Sequence, residues 1–388
     1  MRRFETVSAA LAASLLLSCS GGGVEPERPV ETPSRLTLEN VAKMFSELPL
    51  EECHLNEVYD AASSSSGNGY DEEYTLKDLL LSPGAGVGDD RTARATKAGM
   101  YDTPIRSLIS DYLSKSAQSK SGGSSPRELL GQLEKSGYQV YWPYSETWDG
   151  KTFPIITFDP GYGAESNYGY LISFSEDGVR QVDSVYVDEN VAMSRPVWVI
   201  NTNDDSAFTP LELVLKSSGG SLPRPCAAAS SSGRKLMLKS FRMLRNYDSW
   251  FGGASEFFVK CGSVNGFTAS TEAELKLYSP SVTDMMIVVK RRYCNKWRDY
   301  DSIILTGFTN QMDQLVFLIT EDDGGNVTSW KCSAVVKINS KSYGFEVDIP
   351  YRDKDDIVWR GQLSASFFRS EDEVTGRFGD VEVTFALE

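Results

Sequence analysis

Seven aspartates in predicted loops of the second half of the chain are candidate metal ligands. They lie in the segments "RDYDS", "ITEDDGG" and "RDKDDIVW", as Asp299, Asp301, Asp322, Asp323, Asp353, Asp355 and Asp356. Calcium takes about six to eight oxygen ligands, many of them carboxylates from loops that meet in space. If alternate loops share one end of the fold, these aspartates predict a Ca²⁺ site. The alternative is a set of solvated turns, because Asp and Gly are also ordinary turn residues.

Two of these acidic segments have a recognisable placement in the chain. "ITEDDGG" follows one predicted strand and "RDKDDIVW" precedes another, although Lys354 interrupts the second cluster. In this placement they resemble the loops of C2-type calcium-binding sandwiches. No cofactor is predicted from the sequence, and the resemblance leaves bound Ca²⁺ as an open alternative.

The aromatic stretch "YQVYWPYSETWDGKTFP" (138–154) is a second candidate site. Trp142, Tyr144 and Trp148 lie in and around a Pro/Gly loop, where large aromatic side chains could form a flat platform for sugar rings. Such side chains are enriched at binding surfaces because they bury much area at little entropic cost. The alternative is a strand in which every second residue, up to Trp142, packs into the core.

The count of histidines disfavours catalysis by histidine, and Cys53 and His54 are only neighbours in sequence, whereas a catalytic Cys–His pair needs side chains that converge in space. The chain has a single histidine, His54, and it has no HExxH, GxSxG or phosphate-loop motif. A glycosidase needs only two carboxylates, so a carboxylate-dependent hydrolase of polysaccharide or peptidoglycan stays as the alternative function. The formal net charge of −15 excludes nucleic acid as an expected partner, because phosphate binding needs a basic excess.

The N-terminus predicts where the protein is located. Arg2 and Arg3 precede an apolar run that ends in "LLSC" at 16–19. This run is shorter than the about 20 apolar residues of a membrane span and is typical of an export signal. "LLSC" resembles the bacterial lipoprotein processing box, which implies cleavage before Cys19 and a diacylglyceryl group on its sulfur. With the Gly- and Pro-rich residues that follow, it resembles Bacteroidetes envelope lipoproteins, which implies an outer-membrane lipoprotein facing the periplasm or the cell surface.

Hydrophobic periodicity and turn residues divide the chain into five parts. We predict a signal peptide over 1–18, a flexible tether over 19–35, an α+β domain over 36–215, a linker over 216–233 and an all-β Greek-key sandwich over 234–388.

The α+β domain is predicted to place its helices before an antiparallel sheet. Helices are expected from Thr37, Thr75, Pro104 and Pro126, with a loop at "SSSSGNG" (63–69). Strand-length runs then follow from Tyr138 to "LELVL" (211–215), with a hairpin at Glu176-Asp177-Gly178. In the sandwich about ten short runs are predicted strands, among them "ELKLY" (274–278) and "LSASFF" (363–368).

These features together predict a lipid-anchored envelope protein with a non-enzymatic binding role. The candidate ligands are a glycan, calcium or another envelope protein, and the membrane partner is reached through the lipid anchor. A third possibility is a purely structural envelope component that uses an exposed sheet edge or an apolar patch.

Overall fold

The computed structural model describes residues 36–80, 105–118, 125–203, 208–217 and 233–388. All of them belong to one compact unit. Of the helices in those ranges, none combines the length and the apolar composition that a membrane span requires. Cys19, the predicted signal peptide and tether, and all but the ends of the predicted linker lie outside the described residues, so these features stay predictions.

Five helices precede most of the first sheet. They are α1 (Leu38–Glu47), α2 (Glu52–Gly67), α3 (Leu76–Leu79), α4 (Ile105–Gln118) and α5 (Pro126–Glu134). The Thr37 hydroxyl accepts a hydrogen bond from Asn40 N–H, and Ser125 forms a capping box with Glu128, so both predicted starts are confirmed. The loop predicted at 63–69 is wrong over most of its length, because α2 continues through the serine run to Gly67.

The first sheet has six strands in the order β1-β2-β6-β3-β4-β5. They are β1 (Glu73–Thr75), β2 (Tyr138–Tyr141), β3 (Ile155–Phe158), β4 (Ser166–Phe174), β5 (Arg180–Asp188) and β6 (Val197–Thr202). The β3–β6 pair is parallel, and the other neighbours are antiparallel. The predicted hairpin between β4 and β5 is confirmed, with Gly178 at a φ of +74°. A short helix, α6 (Glu189–Ser194), follows β5.

Alternation along the central strands gives this sheet two different faces. Val140, Trp142 and Trp198 pack into the core beneath the helices. Tyr141 and Val199, one position away, pack on the opposite face against aromatic residues of the sandwich. The fold is therefore an α+β region followed by a β-sandwich, as the sequence predicts.

The sandwich contains ten strands. They are β7 (Arg234–Met243), β8 (Ser255–Ser263), β9 (Ser281–Val289), β10 (Arg298–Phe308), β11 (Met312–Glu321), β12 (Val327–Ile338), β13 (Lys341–Arg352), β14 (Asp356–Ser364), β15 (Glu373–Phe378) and β16 (Val381–Leu387). One sheet has the order β10-β7-β16-β15, and in the facing sheet β11 lies between β8 and β14. Strands β8 and β9 pair and β11 returns beside β8, whereas β10 pairs with β7 in the facing sheet. The β12–β13 hairpin packs on the outer face of the second sheet.

Three predicted strands are wrong at least in part. "LELVL" forms α7 (Leu211–Ser217), because Leu and Glu favour a helix and only Leu211 of this helix is buried. "ELKLY" lies largely in a 3₁₀ helix over Glu272–Leu277 that buries no side chain. "LSASFF" ends β14 and then begins α8 (Ala365–Arg369), whose first turn is capped by the Ser364 hydroxyl.

Candidate functional site

A loop between β7 and β8 joins the sandwich to the first sheet. In "WFGGA" (250–254) the rings of Trp250 and Phe251 are buried against the sheet. Asn201 of β6 donates its two amide hydrogens to the carbonyls of Phe251 and Gly252, at 2.9 and 2.8 Å. This loop therefore fixes where the acidic residues on either side of it lie.

Gly253 allows the loop to approach Asp71 closely. Its φ is +118°, and a Cβ at this position would lie 2.6 Å from Oδ2 of Asp71. The next residue, Ala254, donates its N–H to the same oxygen at 2.8 Å. A side chain at Gly253 would thus be strained in its backbone and would clash with a buried carboxylate.

The loop borders a small polar pocket between the two regions, which we call the junction pocket. Its volume is about 120 Å³, and its lining includes five acids and two amides, namely Asp71, Glu73, Asp159, Asp248, Glu256, Gln139 and Asn201. Asp248 and Glu256 come from the sandwich, and the others come from the first sheet and the residues beside it. The pocket is consequently assembled only when both regions are folded together.

Three carboxylates converge at the sandwich side of this pocket. One oxygen from each of Asp248, Glu256 and Glu321 lies within 4.8 Å of the other two. Glu256 is near the start of β8 and Glu321 ends β11, and the Asp322 N–H donates to the Glu256 carbonyl at 2.9 Å. Antiparallel pairing of β8 with β11 therefore places the two glutamates at one end of the sheet. We call Asp71, Asp248, Glu256 and Glu321 the junction cluster.

Burial and crowding of acids make negative charge costly here. Burial and the neighbouring charge of Glu72 raise the pKa of Asp71 to about 6, against the opposing effect of Lys290. Burial likewise raises the pKa of Asp248 to about 6, although its contact with Glu321 lowers that pKa. A nearby positive charge would stabilise the ionised form of both carboxyl groups.

Two buried oxygens on the first-sheet side of the pocket, one in the cluster and one beside it, receive no hydrogen bond from a described residue. They are Oδ1 of Asp71 and Oδ1 of Asn201, on side chains that are 4% and 1% exposed. Because both amide hydrogens of Asn201 are bonded to carbonyls of the loop, its oxygen is fixed as an acceptor. A buried acceptor without a donor costs free energy, so both oxygens indicate a missing positive or donor partner.

The nearby basic side chains form ion pairs with acids outside the cluster, although the charge of Lys290 lowers the pKa of Asp71 and that of Arg291 lowers the pKa of Asp248. Arg292 forms an ion pair with Glu72, and Arg291 forms one with Glu189. On the far side of the cluster, Arg352 contacts both oxygens of Asp322 at 3.1 Å.

Four of the seven aspartates predicted as calcium ligands lie together beside this cluster. Asp356 pairs with Glu321 across β14 and β11, and both Asp356 and Asp322 raise the pKa of Asp323. Burial raises the pKa of Asp355 to about 6, and contact with Asp322 adds to this rise. The predicted convergence of the "ITEDDGG" and "RDKDDIVW" segments is therefore found in the structure.

The other three predicted ligands have different surroundings. Asp301 forms an ion pair with Lys239 at 2.5 Å, and Asp299 is exposed near the start of β10. Asp353 accepts the Asn326 N–H at 2.8 Å and so closes its own loop. The structure brings neither Asp299 nor Asp301 to the junction pocket, and Asp353 acts as a turn residue.

The predicted sugar platform is not formed. Trp142 has no exposed surface and stacks edge-on against Trp198 and Trp148. Trp148 is half-buried, and its indole N–H is bonded to the Thr152 carbonyl. The hydroxyl of Tyr144, also half-buried, donates to Glu189. The prediction that Trp142 contacts a sugar is wrong, because alternation along β2 directs its side chain into the core.

Sequence reasoning missed Asp71, Asp248, Glu256 and Asn201. Two segments contained a signal for three of them: "DEEY" (71–74) places acids directly before a strand, and "YDSWFGGASEFF" (247–258) flanks a Gly-Gly loop with an acid on each side. Comparison of the chain with protein-family models and with curated proteins finds no match. The site must therefore be interpreted from its own geometry.

Proposed function

We propose that this chain is a lipid-anchored envelope protein that binds a divalent cation, Ca²⁺, at the junction pocket without performing chemistry on it. The observation that carries the cation is the combination of three converging carboxylates with two buried acceptor oxygens that receive no hydrogen bond from a described residue. The anchor and the envelope location rest on the "LLSC" segment that ends at Cys19.

The chemistry of the donor set favours calcium over other common metal ions. Asp248, Glu256 and Glu321 supply carboxylates, and Asp71 and Asn201 add one further oxygen each. Zinc prefers nitrogen and sulfur ligands, and neither histidine nor cysteine is among the described residues that line the pocket. Magnesium needs near-ideal octahedral geometry, whereas calcium accepts irregular sets of carboxylate and amide oxygens.

The size of the pocket also favours an ion over a larger ligand. Its volume of about 120 Å³ is well below the roughly 300 Å³ at which sites for small organic molecules begin. A hydrated cation fits such a space, whereas a pyranose ring with its flanking sugars does not.

Isothermal titration calorimetry of Ca²⁺ into chelator-treated protein tests the cation site. We expect saturable binding by the natural protein and at least about a tenfold loss of affinity in Asp248→Asn, because this change removes one charged ligand. Asp299→Asn is the matched control, since it changes an exposed aspartate outside the pocket and should leave the binding unchanged. Equal affinity in all three proteins, or no binding by the natural protein, would refute the proposal.

A second candidate function is a carboxylate-dependent hydrolase. It is favoured by the pKa of about 6 at Asp71 and Asp248, because a general acid works best near the ambient pH. Release of reducing ends from polysaccharide or peptidoglycan that is abolished by Asp248→Asn would establish this function in place of simple cation binding.

The anchor has a separate test. Expression of the full chain with radiolabelled palmitate should label the natural protein and not Cys19→Ala, because the thiol accepts the diacylglyceryl group. Equal labelling of both proteins would refute lipidation at Cys19.

A further inference from the structure

Strand β5 forms an outer edge of the first sheet. Among the described residues, β4 is the only strand paired with it, over all nine residues from Arg180 to Asp188. The other edge of β5 presents backbone donors and acceptors that can pair with an additional strand.

The face of β5 that carries every second residue from Arg180 is unusually apolar for an exposed edge. Val182 is 39% exposed and Tyr186 is 64% exposed, with Ser184 between them. Edge strands of soluble proteins are commonly protected by a charge or a proline in their centre. On this face of β5 the charged residues lie only at the two ends, where Arg180 also donates to the Ser46 carbonyl and Asp188 also accepts the Val191 N–H at the start of α6. The central charge of the strand, Asp183, lies on the opposite face.

The sequence of β5 is complementary to itself when two copies run antiparallel with Ser184 opposite Ser184. Arg180 of one copy then lies opposite Asp188 of the other, and Val182 lies opposite Tyr186, and each of these pairs occurs twice by symmetry. On the opposite face Asp183 lies opposite Val185, which is the least favourable pair of this register. Opposite-charge pairs and pairs of an aromatic with a β-branched residue are favourable directly across strands.

The neighbouring registers give less favourable cross-strand pairs. A two-fold axis perpendicular to the sheet keeps each side chain on its own face. Directly opposite residues must therefore share a face, and the register can shift only by two residues at a time. One such shift places Asp183 opposite itself, and like charges directly opposite are destabilising. The other shift places Val182 opposite Asp188 and leaves Arg180 without its acidic partner.

We propose that β5 is an interface to a second copy of this chain, through which two first sheets join into one continuous antiparallel sheet. The occupant of the edge is a second β5 in the register centred on Ser184. Charge complementarity and apolar pairing within this one strand select a self-partner over an unrelated segment.

Sedimentation velocity of the full chain in detergent solution, with Cys19→Ala run in parallel to remove association through lipid, tests the interface. We expect a concentration-dependent dimer in both proteins. Val182→Glu and Tyr186→Lys should each raise the dimer dissociation constant by about tenfold or more, because each places a charge opposite an apolar side chain at two symmetric positions. The double variant should recover affinity, because the introduced carboxylate of one copy would then lie opposite the introduced ammonium group of the other.

Val327→Glu is the matched control. It adds the same charge at an apolar residue that is 78% exposed at the start of β12, and it should leave the dimer unchanged. Circular dichroism confirms that each variant is folded. A natural protein that stays monomeric, single variants that associate as the natural protein does, or a double variant weaker than either single variant would overturn the proposal.

Discussion

Two kinds of buried carboxyl group lie on opposite sides of the first sheet. On the side covered by helices, Glu57 of α2 accepts hydrogen bonds from the Tyr74 hydroxyl at 3.2 Å and from the Ile105 N–H at 2.8 Å. On the side that meets the sandwich, Oδ2 of Asp71 accepts the Ala254 N–H, and Oδ1 has no partner among the described residues. Glu57 is surrounded by donors, whereas Asp71 is surrounded by other acids.

This difference separates a structural carboxyl group from a ligand-binding one. Burial raises the pKa of Glu57 to about 7, and each of its two oxygens accepts a hydrogen bond from the fold itself. The junction cluster instead concentrates several acids around one small space, where each charge raises the cost of the next. Only a partner with a concentrated positive charge relieves that cost for the whole set.

The largest effect that we expect from a single carboxyl group is the contribution of Glu57 to the pH dependence of the free energy of unfolding. Because its pKa rises from 4.5 to about 7 on folding, the folded state holds the proton more tightly. The free energy of unfolding therefore falls as pH rises from about 4.5 to 7, by about 3 kcal/mol. Glu57→Gln should lack this contribution, so urea denaturation should show the variant gaining stability relative to the natural protein across that range. A constant difference between the two proteins would show that Glu57 is ionised in the folded state.

Asp71→Asn should change stability in opposite directions with and without calcium. In chelator at neutral pH the variant should be more stable than the natural protein, because it removes a buried charge from a cluster of acids. At calcium about 100-fold above the dissociation constant, the natural protein should gain about 2.7 kcal/mol and the variant should gain much less. Thermal unfolding with EDTA and with calcium measures both effects. A variant that is less stable in both conditions would indicate a structural role for Asp71, like that of Glu57.

Gly253→Ala tests whether the loop holds the junction cluster in place. The added methyl group would meet Oδ2 of Asp71 at a φ that L-residues rarely adopt, so we expect a loss of about 1–3 kcal/mol and weaker calcium binding. Gly131→Ala in α5, where the new Cβ would meet nothing within 4 Å, should instead be neutral or stabilising. Similar stability and calcium affinity for both variants would show that the loop tolerates a side chain.

The smallest effect should come from the aspartates that the sequence predicted as calcium ligands but that lie outside the pocket in the structure. Asp299→Asn should change the free energy of unfolding by less than about 0.5 kcal/mol and should leave the calcium-dependent gain in melting temperature intact. Loss of that gain would indicate that the cation binds near Asp299 at the start of β10 and not in the junction pocket.

The sequence predicted regular elements well where side-chain periodicity was strong. The runs "YQVYW" and "PVWVI", bounded by turn residues, predicted two central strands, which form as β2 and β6. Thr37 as a cap predicted α1, and Pro126 predicted the start of α5. Helix α2 was missed because its serine run has the composition of a loop, and contacts with β1 and the core stabilise it instead. The helix at Leu211–Ser217 was missed because a short apolar run is compatible with either structure.

The candidate site was predicted only where its residues lie in the turns at one end of the sandwich. Asp322, Asp323, Asp355 and Asp356 flank paired strands, so antiparallel pairing brings them together. Asp71 and Asn201 belong to the first sheet, and their distance from Asp248 depends on how the "WFGGA" loop docks between the regions. No periodicity within one element encodes such a contact.

The most direct test of the cation site is a crystal structure of the full chain grown with calcium and, in parallel, with manganese as an anomalous scatterer. A cation bound as proposed would give one strong peak in the junction pocket, within about 2.6 Å of carboxylate oxygens of Asp248, Glu256 and Glu321. A pocket that holds only water at saturating calcium, or a peak held by Asp299 and Asp301 instead, would contradict the proposal.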